Sequence, residues 1–485
     1  MAQDILDQPQ AGDAAVRGGA LRVAGYAVGV VLTVVSAAIL FRHLGVVDSG
    51  RYVTVLALSS LVAGMTEFGL TTVGIRELAV RDQAGQRILL ANLLGLRLAV
   101  TLVGAAAAVV FALIAGYDGE MVVGVALAGI ALAGIAIQTT LGISLMVRLR
   151  LGWMTALELI RQAVLVAGIV VLVLLGAGIV PFVAAQIPAV LVALALTIVL
   201  VRGSVPLRPA FDAAEWGALL RTILPFAAAT ILAAVYFRAS LLVLELVSTP
   251  REVGLFSAPF RITEVLLAVP NLLVGAAFPI FSRAARDDRA RLAYGLDRVF
   301  QASLTLGACA LVGLVLGAPF VIDVVAGARF DDSVDVLRLQ AVALLISFAA
   351  TPLTYSMLSL RMHGSLLVVS AVALAANIIS VAILASAHGA MGAAGGAVIA
   401  EVIGLACAWL ILRRSEPGIA PGLGPVARVA VATVAGLAVG LIPSLPAVVA
   451  AMMGVGAFTV AAYLCGAIPP ELISAFLHRD RHLVE

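Results

Sequence analysis

Long apolar stretches separated by short polar turns dominate the chain from residue 21 to residue 468. Most of them reach the roughly 20 residues that a helix needs to cross about 30 Å of hydrocarbon. The pattern therefore predicts an all-α, polytopic membrane protein with about fourteen transmembrane helices. The predicted spans are approximately 21–41, 52–75, 91–115, 121–146, 155–177, 180–201, 222–247, 254–281, 298–326, 336–359, 365–386, 390–412, 426–444 and 447–468.

The composition agrees with a chain that is solvated mainly by lipid. Hydrophobic residues make up 63% of the sequence and charged residues 12%, whereas soluble domains carry about 25% charged residues. The first 18 residues are polar and include acids, which argues against a signal peptide. The three cysteines are far apart and inside apolar runs. We therefore expect no metal, no cofactor and no contact with nucleic acid.

The placement of arginine tests the span map. All 30 basic residues are arginine. If the N-terminus is cytoplasmic, 23 of them fall in cytoplasmic loops and ends, five in outer loops, and two within spans. A miscounted span would reverse every later loop and erase this bias. The chain is thus predicted to be a multi-pass protein of the inner (cytoplasmic) membrane with both termini in the cytoplasm.

A weak internal repeat suggests two lobes. The pattern acidic-x-Gly-x-aromatic opens span two at Asp48–Tyr52 and span eight at Glu252–Phe256, an offset of 204 residues. Parallel repeats of six helices place a substrate cavity between two pseudo-symmetric halves. The predicted organisation is a cytoplasmic tail (1–20), an N-lobe of six spans (21–202), a linker (203–221), a C-lobe of six spans (222–412), and two further spans with a cytoplasmic tail (413–485).

The linker is predicted to be a short amphipathic helix on the cytoplasmic face. Asp212 and Glu215 have the spacing of a capping box at the start of a helix. Apolar and charged residues then alternate in a way that suits a membrane surface. The alternative is an ordinary polar connection.

Charged residues inside spans concentrate in spans seven and eight, where each is costly unless it faces a cavity or a partner. Arg238 lies in span seven. Arg261 and Glu264 share one face of span eight. Asn271 also lies in span eight. We predict that these four residues bind substrate. The two arginines would offer forked donors to a phosphate or pyrophosphate in the outer half of the membrane. Alternatively, an Arg–Glu pair locks the two helices together.

Glu67, near the inner end of span two, has two interpretations. It is a candidate coupling residue for an ion or a proton, or it is an interfacial acid paired with Arg76 or with an arginine of span one. Glu158 and Arg161, near the start of span five, are expected to be structural. The sequence has no phosphate-binding loop with a Gly-Lys-Ser/Thr end and no large extramembrane segment with a catalytic set, so we expect a transporter and not an enzyme.

Three segments resemble the polysaccharide-type flippases. ILFRHLGVVDSGRYVTVLALSSLVAGMTEFGLTTVGIRELAVR resembles their first two helices. GLFSAPFRITEVLLAVPNLLVGAAFPIFSR resembles the eighth helix and GAAGGAVIAEVIG the twelfth. The resemblance covers most of residues 20–415 and points to the multidrug/oligosaccharidyl-lipid/polysaccharide exporter superfamily. The matching positions in the first segment are Leu44, Gly45, Gly50, Tyr52, Gly69, Arg76 and Arg81.

That resemblance implies two six-helix lobes around a central cavity, transport by alternating access, and basic residues near spans one, two, seven and eight. The two extra C-terminal spans favour a flippase over a multidrug exporter, which typically has twelve. The function predicted is translocation of a polyprenyl-pyrophosphate-linked oligosaccharide for cell-surface polysaccharide assembly, with membrane lipid and polysaccharide polymerases as further partners. A peptidoglycan-precursor flippase is a narrower option. The alternatives are a cation-coupled multidrug exporter and a membrane enzyme of polymer assembly.

Overall fold

The computed structural model describes residues 11–148, 150–203, 205–422 and 424–468, and within them every regular element is a helix. Two short 3₁₀ turns lie at Ala328–Phe330 and Ala438–Leu441. The α-helices are α1 (Ala11–Glu67), α2 (Leu70–Val80), α3 (Gln83–Ile114), α4 (Gly119–Val147), α5 (Leu151–Leu174), α6 (Ile179–Ala184), α7 (Gln186–Val201), α8 (Ala213–Val247), α9 (Pro250–Leu266), α10 (Ala268–Asp287), α11 (Arg289–Val325), α12 (Ser333–Ser359), α13 (His363–Ser415), α14 (Gly424–Leu437) and α15 (Ala447–Leu464).

The helices account for the fourteen predicted spans. Eleven helical runs among the described residues are long and apolar enough to cross a membrane. Two of these runs, 27–80 and 363–415, each hold two spans, because the backbone turns at Gly45 and Gly389. The 35-residue helix α8 supplies the remaining span. The predicted fold class of six spans, six spans and two C-terminal spans is therefore confirmed.

Positive φ angles explain why glycine stands at the turns. Gly389 has φ 53° and Gly69, which separates α1 from α2, has φ 89°. L-residues with a Cβ are strained in this left-handed region, so the chain reverses or breaks its helix there at low cost only with glycine. Aspartates begin the helices that follow other turns: Asp82, Asp118 and Asp288 each accept a backbone N–H of the next helix at 2.9–3.0 Å.

The chain forms two compact units, residues 1–238 and 239–485, each with its own core. The core of the first unit is aliphatic, and Leu89, Leu93 and Ile143 are buried at its centre. The core of the second is richer in aromatic residues and includes Phe281 and Phe458. Helices α14 and α15 pack against α11, so the two C-terminal spans belong to the second unit. The predicted lobe limits stay predictions.

Matching ion pairs occur in the two units. In the first, Arg51 at the start of span two contacts Asp118, which precedes α4, at 3.3 Å. In the second, Arg251 at the start of span eight contacts Asp332, which precedes α12, at 2.6 Å. Each pair joins the second span of a six-span set to the fourth, spans two and four in one case and eight and ten in the other. The internal repeat is therefore visible in side-chain contacts as well as in the order of the helices.

Two details differ from the sequence-based expectation. The predicted N-terminal tail, 1–20, is partly helical, because α1 already begins at Ala11. Residues 1–10 and the predicted C-terminal tail, 469–485, lie outside the described part of the chain. The linker does not form a helix of its own. Its last turns, from Ala213, are the beginning of α8 and continue without interruption into span seven. Asp212 does cap this helix, accepting from the backbone N–H of Ala214 at 2.9 Å.

Candidate substrate-binding site

Arg261 and Glu264 form an ion pair on one face of α9. Nη1 of Arg261 donates to Oε2 of Glu264 at 2.7 Å, and the two side chains are 36% and 20% exposed. This contact is the i, i+3 pair that the sequence predicts. It uses one of the five N–H donors of the guanidinium. The contact with Glu264 thus fixes the position of Arg261 through one donor.

Close to this pair, the regular hydrogen bonding of span eight is interrupted at one residue, Leu267, whose backbone angles (φ −62°, ψ −19°) remain helical. Helix α9 ends at Leu266 and α10 begins at Ala268, and Pro259 lies inside α9. Proline removes a backbone donor and weakens the helix locally. Gln340 of α12 is buried and braces this region: its amide donates to the carbonyl of Phe256 at 3.4 Å and its Oε1 accepts from Thr263 at 3.3 Å.

The remaining predicted residues have separate environments. Asn271 is exposed, and its amide donates to the carbonyl of Leu267 in its own helix at 2.8 Å. The Cζ atom of Arg238 lies 4.9 Å from the centroid of the Phe237 ring. Arg238 is the last residue of the first unit, whereas Arg261, Glu264 and Asn271 belong to the second. The convergence of these four residues on one substrate stays a prediction.

Glu67 has a partner that the sequence analysis did not identify. It forms an ion pair with Arg97 of α3, and Arg97 also donates to the Thr71 hydroxyl at 3.1 Å. The other carboxylate oxygen of Glu67 accepts from the backbone N–H of Thr71 at 3.3 Å, across the helix break at Gly69. Arg97 is only 8% exposed. We expected it to be one of the cytoplasmic arginines, but it lies about 21 Å along α3 from the first residue of that helix.

Glu158 and Arg161 line a cavity of about 140 Å³ in the first unit, between α4, α5 and α7. The guanidinium of Arg161 donates to both oxygens of the Glu158 carboxylate. Gln138 and Thr139 of α4 add amide and hydroxyl groups to the wall. The sequence analysis treated the Glu158–Arg161 pair as structural. The Glu158–Arg161 pair therefore borders a small cavity whose wall is mostly apolar.

The sequence analysis did not single out three buried polar residues of the second unit: Ser240, Gln340 and Asn377. Ser240 of α8 and Asn377 of α13 exchange hydrogen bonds of 2.9 and 3.1 Å, and both are less than 10% exposed. The signal that points to Gln340 and Asn377 is an amide side chain within an apolar run. No group of His, Cys, Asp and Glu that could hold a metal is present among the described residues.

Comparison with solved structures identifies the fold. The chain superimposes on the lipid II flippase MurJ in an inward closed conformation with a TM-score of 0.76 and 12% identity, covering 95% of this chain and 99% of that one. A multidrug resistance MATE family transporter of the MOP superfamily, in an inward-facing conformation, gives 0.60 and 17% over 79% and 94%. A MOP superfamily transporter from Pyrococcus furiosus gives 0.56 and 17% over 83% and 95%.

Sequence comparison gives the family. No curated protein sequence matches the chain. The family model described as "Polysaccharide biosynthesis protein" matches residues 39–335, which is more than half of the chain and includes spans two to nine. The multi-pass membrane fold and the family predicted from the sequence are thus both confirmed. The chain belongs to the family of polysaccharide biosynthesis proteins, on the fold shared by MurJ and the MATE transporters of the MOP superfamily.

Proposed function

We propose that the protein is a flippase that moves a polyprenyl-pyrophosphate-linked oligosaccharide from the cytoplasmic to the outer leaflet by alternating access. Membership of the polysaccharide biosynthesis family supports the substrate class. The observation that carries the proposal is Arg261: it is a partly exposed arginine in a membrane helix that also contains Pro259, and its hydrogen bond to Glu264 uses one of its five N–H donors. Such a fork suits the oxygens of a pyrophosphate.

The proposed mechanism needs no covalent chemistry. The pyrophosphate of the substrate would contact Arg261, with Arg238 as a second cation and Asn271 as a neutral donor. Glu264 would position Arg261 and keep the patch from binding anions so tightly that release is slow. The sugars would occupy the hydrated cavity and the polyprenyl tail would remain in lipid. In this scheme Glu67 is a coupling residue only if its protonation releases Arg97.

Reconstitution provides the test. Purified protein is placed in vesicles that contain a fluorescent polyprenyl-pyrophosphate oligosaccharide, and a membrane-impermeant quencher reports how much of it has changed leaflet. We expect exchange that depends on the protein and that is much slower for the same lipid without its sugars. Equal exchange in vesicles with and without the protein would refute the proposal.

A cation-coupled multidrug exporter is the second candidate. The similarity to MATE family transporters and the cavity beside Glu158 favour it. The same vesicles separate the two functions when they are loaded with a cationic dye and given a sodium or proton gradient. Gradient-driven dye movement without leaflet exchange of the lipid-linked oligosaccharide would establish the exporter instead.

The cellular setting is part of the proposal. The arginine distribution supports an inner-membrane protein with both termini in the cytoplasm, where lipid-linked precursors with a cytoplasmic headgroup would be accepted. A polysaccharide polymerase on the outer side would consume the product. Co-purification of such a polymerase with the tagged protein from mildly solubilised membranes would test that partnership.

A further inference from the structure

Three arginines around the start of α8 are exposed: Arg202, Arg208 and Arg221. None of them makes a hydrogen bond or ion pair through its side chain to any described residue. Of the two acids in the same segment, Glu215 forms an ion pair with Arg81 and Asp212 caps α8. The segment therefore carries net positive charge, because the carboxylate of Asp212 stands against three arginines.

Large apolar side chains lie among these arginines. Leu207 is 49%, Phe211 67% and Leu224 70% exposed. Leu207 is adjacent in sequence to Arg208, and Leu224 lies three residues after Arg221, hence on the same face of α8. We name these six residues, Arg202, Leu207, Arg208, Phe211, Arg221 and Leu224, the linker surface.

The backbone beneath the linker surface is fixed to α3. The N–H of Ala210 donates to the carbonyl of Ala91 at 2.9 Å, and the N–H of Asp212 donates to the side chain of the buried Asn92 at 3.0 Å. A Cβ at Gly95 would lie 2.1 Å from the carbonyl oxygen of Ala210, so only glycine permits this approach. The surface is consequently a preorganised feature of the first unit and not a loose tether.

We propose that the linker surface binds anionic phospholipid headgroups of the leaflet predicted to be cytoplasmic. Arginine forks would hold the lipid phosphates, and Leu207, Phe211 and Leu224 would enter the boundary between headgroups and acyl chains. Lipid is favoured over an acidic protein because α8 continues directly from this surface into the membrane. A lipid with net negative charge is favoured over a zwitterionic one because it would neutralise the positive charge of the three arginines. The inference does not depend on the transported substrate.

Tryptophan quenching by brominated lipids tests the proposal on the full chain. Phe211→Trp adds a reporter, and the wild-type chain with its own three tryptophans gives the baseline. In nanodiscs we expect brominated phosphatidylglycerol to quench the added fluorescence at a mole fraction at least about threefold lower than brominated phosphatidylcholine. In the same background, the variant R202Q/R208Q/R221Q should quench equally with the two lipids.

The matched control removes equal charge elsewhere. Arg283, Arg286 and Arg291, at the junction of α10 and α11, are also exposed and without a side-chain partner among the described residues, but aspartates 287 and 288 lie beside them. The variant R283Q/R286Q/R291Q should keep the lipid preference.

Native mass spectrometry is a second measurement that needs no variant. The unmodified chain should retain phosphatidylglycerol in preference to phosphatidylcholine. Three outcomes would overturn the proposal. In the chain that keeps the linker arginines, both lipids quench equally or neither lipid quenches. Alternatively, the control variant loses the lipid preference as fully as the linker variant does.

Discussion

At the residue scale, Arg261 combines a fixed position with unused hydrogen-bonding capacity. Glu264 engages one N–H of its guanidinium, and the i, i+3 spacing holds the two side chains together within a single helix. The N–H donors of Arg261 that remain after this contact support the role in substrate binding that we propose for it.

Arg261→Gln should lower the initial rate of leaflet exchange at least about tenfold, because a bidentate charge-assisted contact is lost. Arg261→Lys should recover only part of it, since an ammonium cannot reproduce the fork. Arg338→Gln is the control: Arg338 forms the same type of pair with Asp335 at 2.8 Å on an exposed stretch of α12. If Arg261→Gln does not change the initial rate of leaflet exchange, the Arg261–Glu264 pair has a structural role and does not bind substrate.

The contact between Glu67 and Arg97 is a partly buried ion pair at a helix break. Glu67→Gln would remove the negative charge that neutralises the buried guanidinium of Arg97 and would leave it neutral partners such as the Thr71 hydroxyl, so we expect the free energy of unfolding to fall by about 3 kcal/mol. The double variant E67Q/R97Q should recover part of that loss. Denaturant titration in detergent micelles measures both.

The exposed pair of Arg76 with Glu77 supplies the comparison for this experiment. The Arg76 side chain is 60% exposed, and Arg76→Gln should change the free energy of unfolding by less than about 1 kcal/mol. If the double variant is less stable than Glu67→Gln, the two charges do not compensate each other as the structure indicates.

Sequence reasoning found the residues whose signal is local and missed those whose partner is distant. Arg261 and Glu264 are three residues apart, so helical geometry alone pairs them. Arg97 lies near the predicted start of span three, where an arginine is ordinarily a cytoplasmic anchor. Only the fold shows that it turns inward to Glu67.

At the element scale, the helix break within span two was the least predictable feature. The sequence has 46 glycines, and glycine is common in membrane helices, so periodicity does not show that Gly69 is one of those with a positive φ. In span eight, Pro270 cannot donate a backbone N–H to the preceding turn, and the helical hydrogen bonding is interrupted at Leu267 without a change to non-helical angles. The turn at Gly389, in contrast, was expected from its position between two apolar runs.

Gly69→Ala should destabilise the protein by about 1–2 kcal/mol, since alanine is strained at φ 89°. Gly217→Ala is the paired control, because Gly217 lies inside α8 with no atom within 4 Å of a built Cβ. It should be neutral or slightly stabilising. Thermal unfolding in detergent compares the two variants, and a neutral Gly69→Ala would show that α1 and α2 can form one continuous helix.

At the scale of the whole molecule, the number of spans and the family could be predicted from the sequence because each prediction uses many residues together. Fourteen apolar runs and the bias of 30 arginines are insensitive to the misassignment of a single residue. The exposed, unpartnered arginines of the linker surface could not be distinguished from other loop arginines until side-chain contacts were known.

Reporter fusions test the predicted orientation. A reporter that is active only outside the cytoplasm should be inactive when fused after Glu485 and active when fused after Gly116, in the turn between α3 and α4. The opposite pattern would invert the map, and activity at both sites would mean that the parity of the spans is odd.

The matching Arg51–Asp118 and Arg251–Asp332 pairs have a mechanical consequence. In each set of six spans, an ion pair ties the start of the second span to the start of the fourth. In the first set, the second span is interrupted further along by Gly69, whose φ of 89° separates α1 from α2. Bending of this span should therefore concentrate at Gly69, so that α2 changes its orientation while the end of α1 that carries Arg51 stays with α4. In the second set, the backbone at Leu267 keeps helical angles, so span eight should bend less than span two.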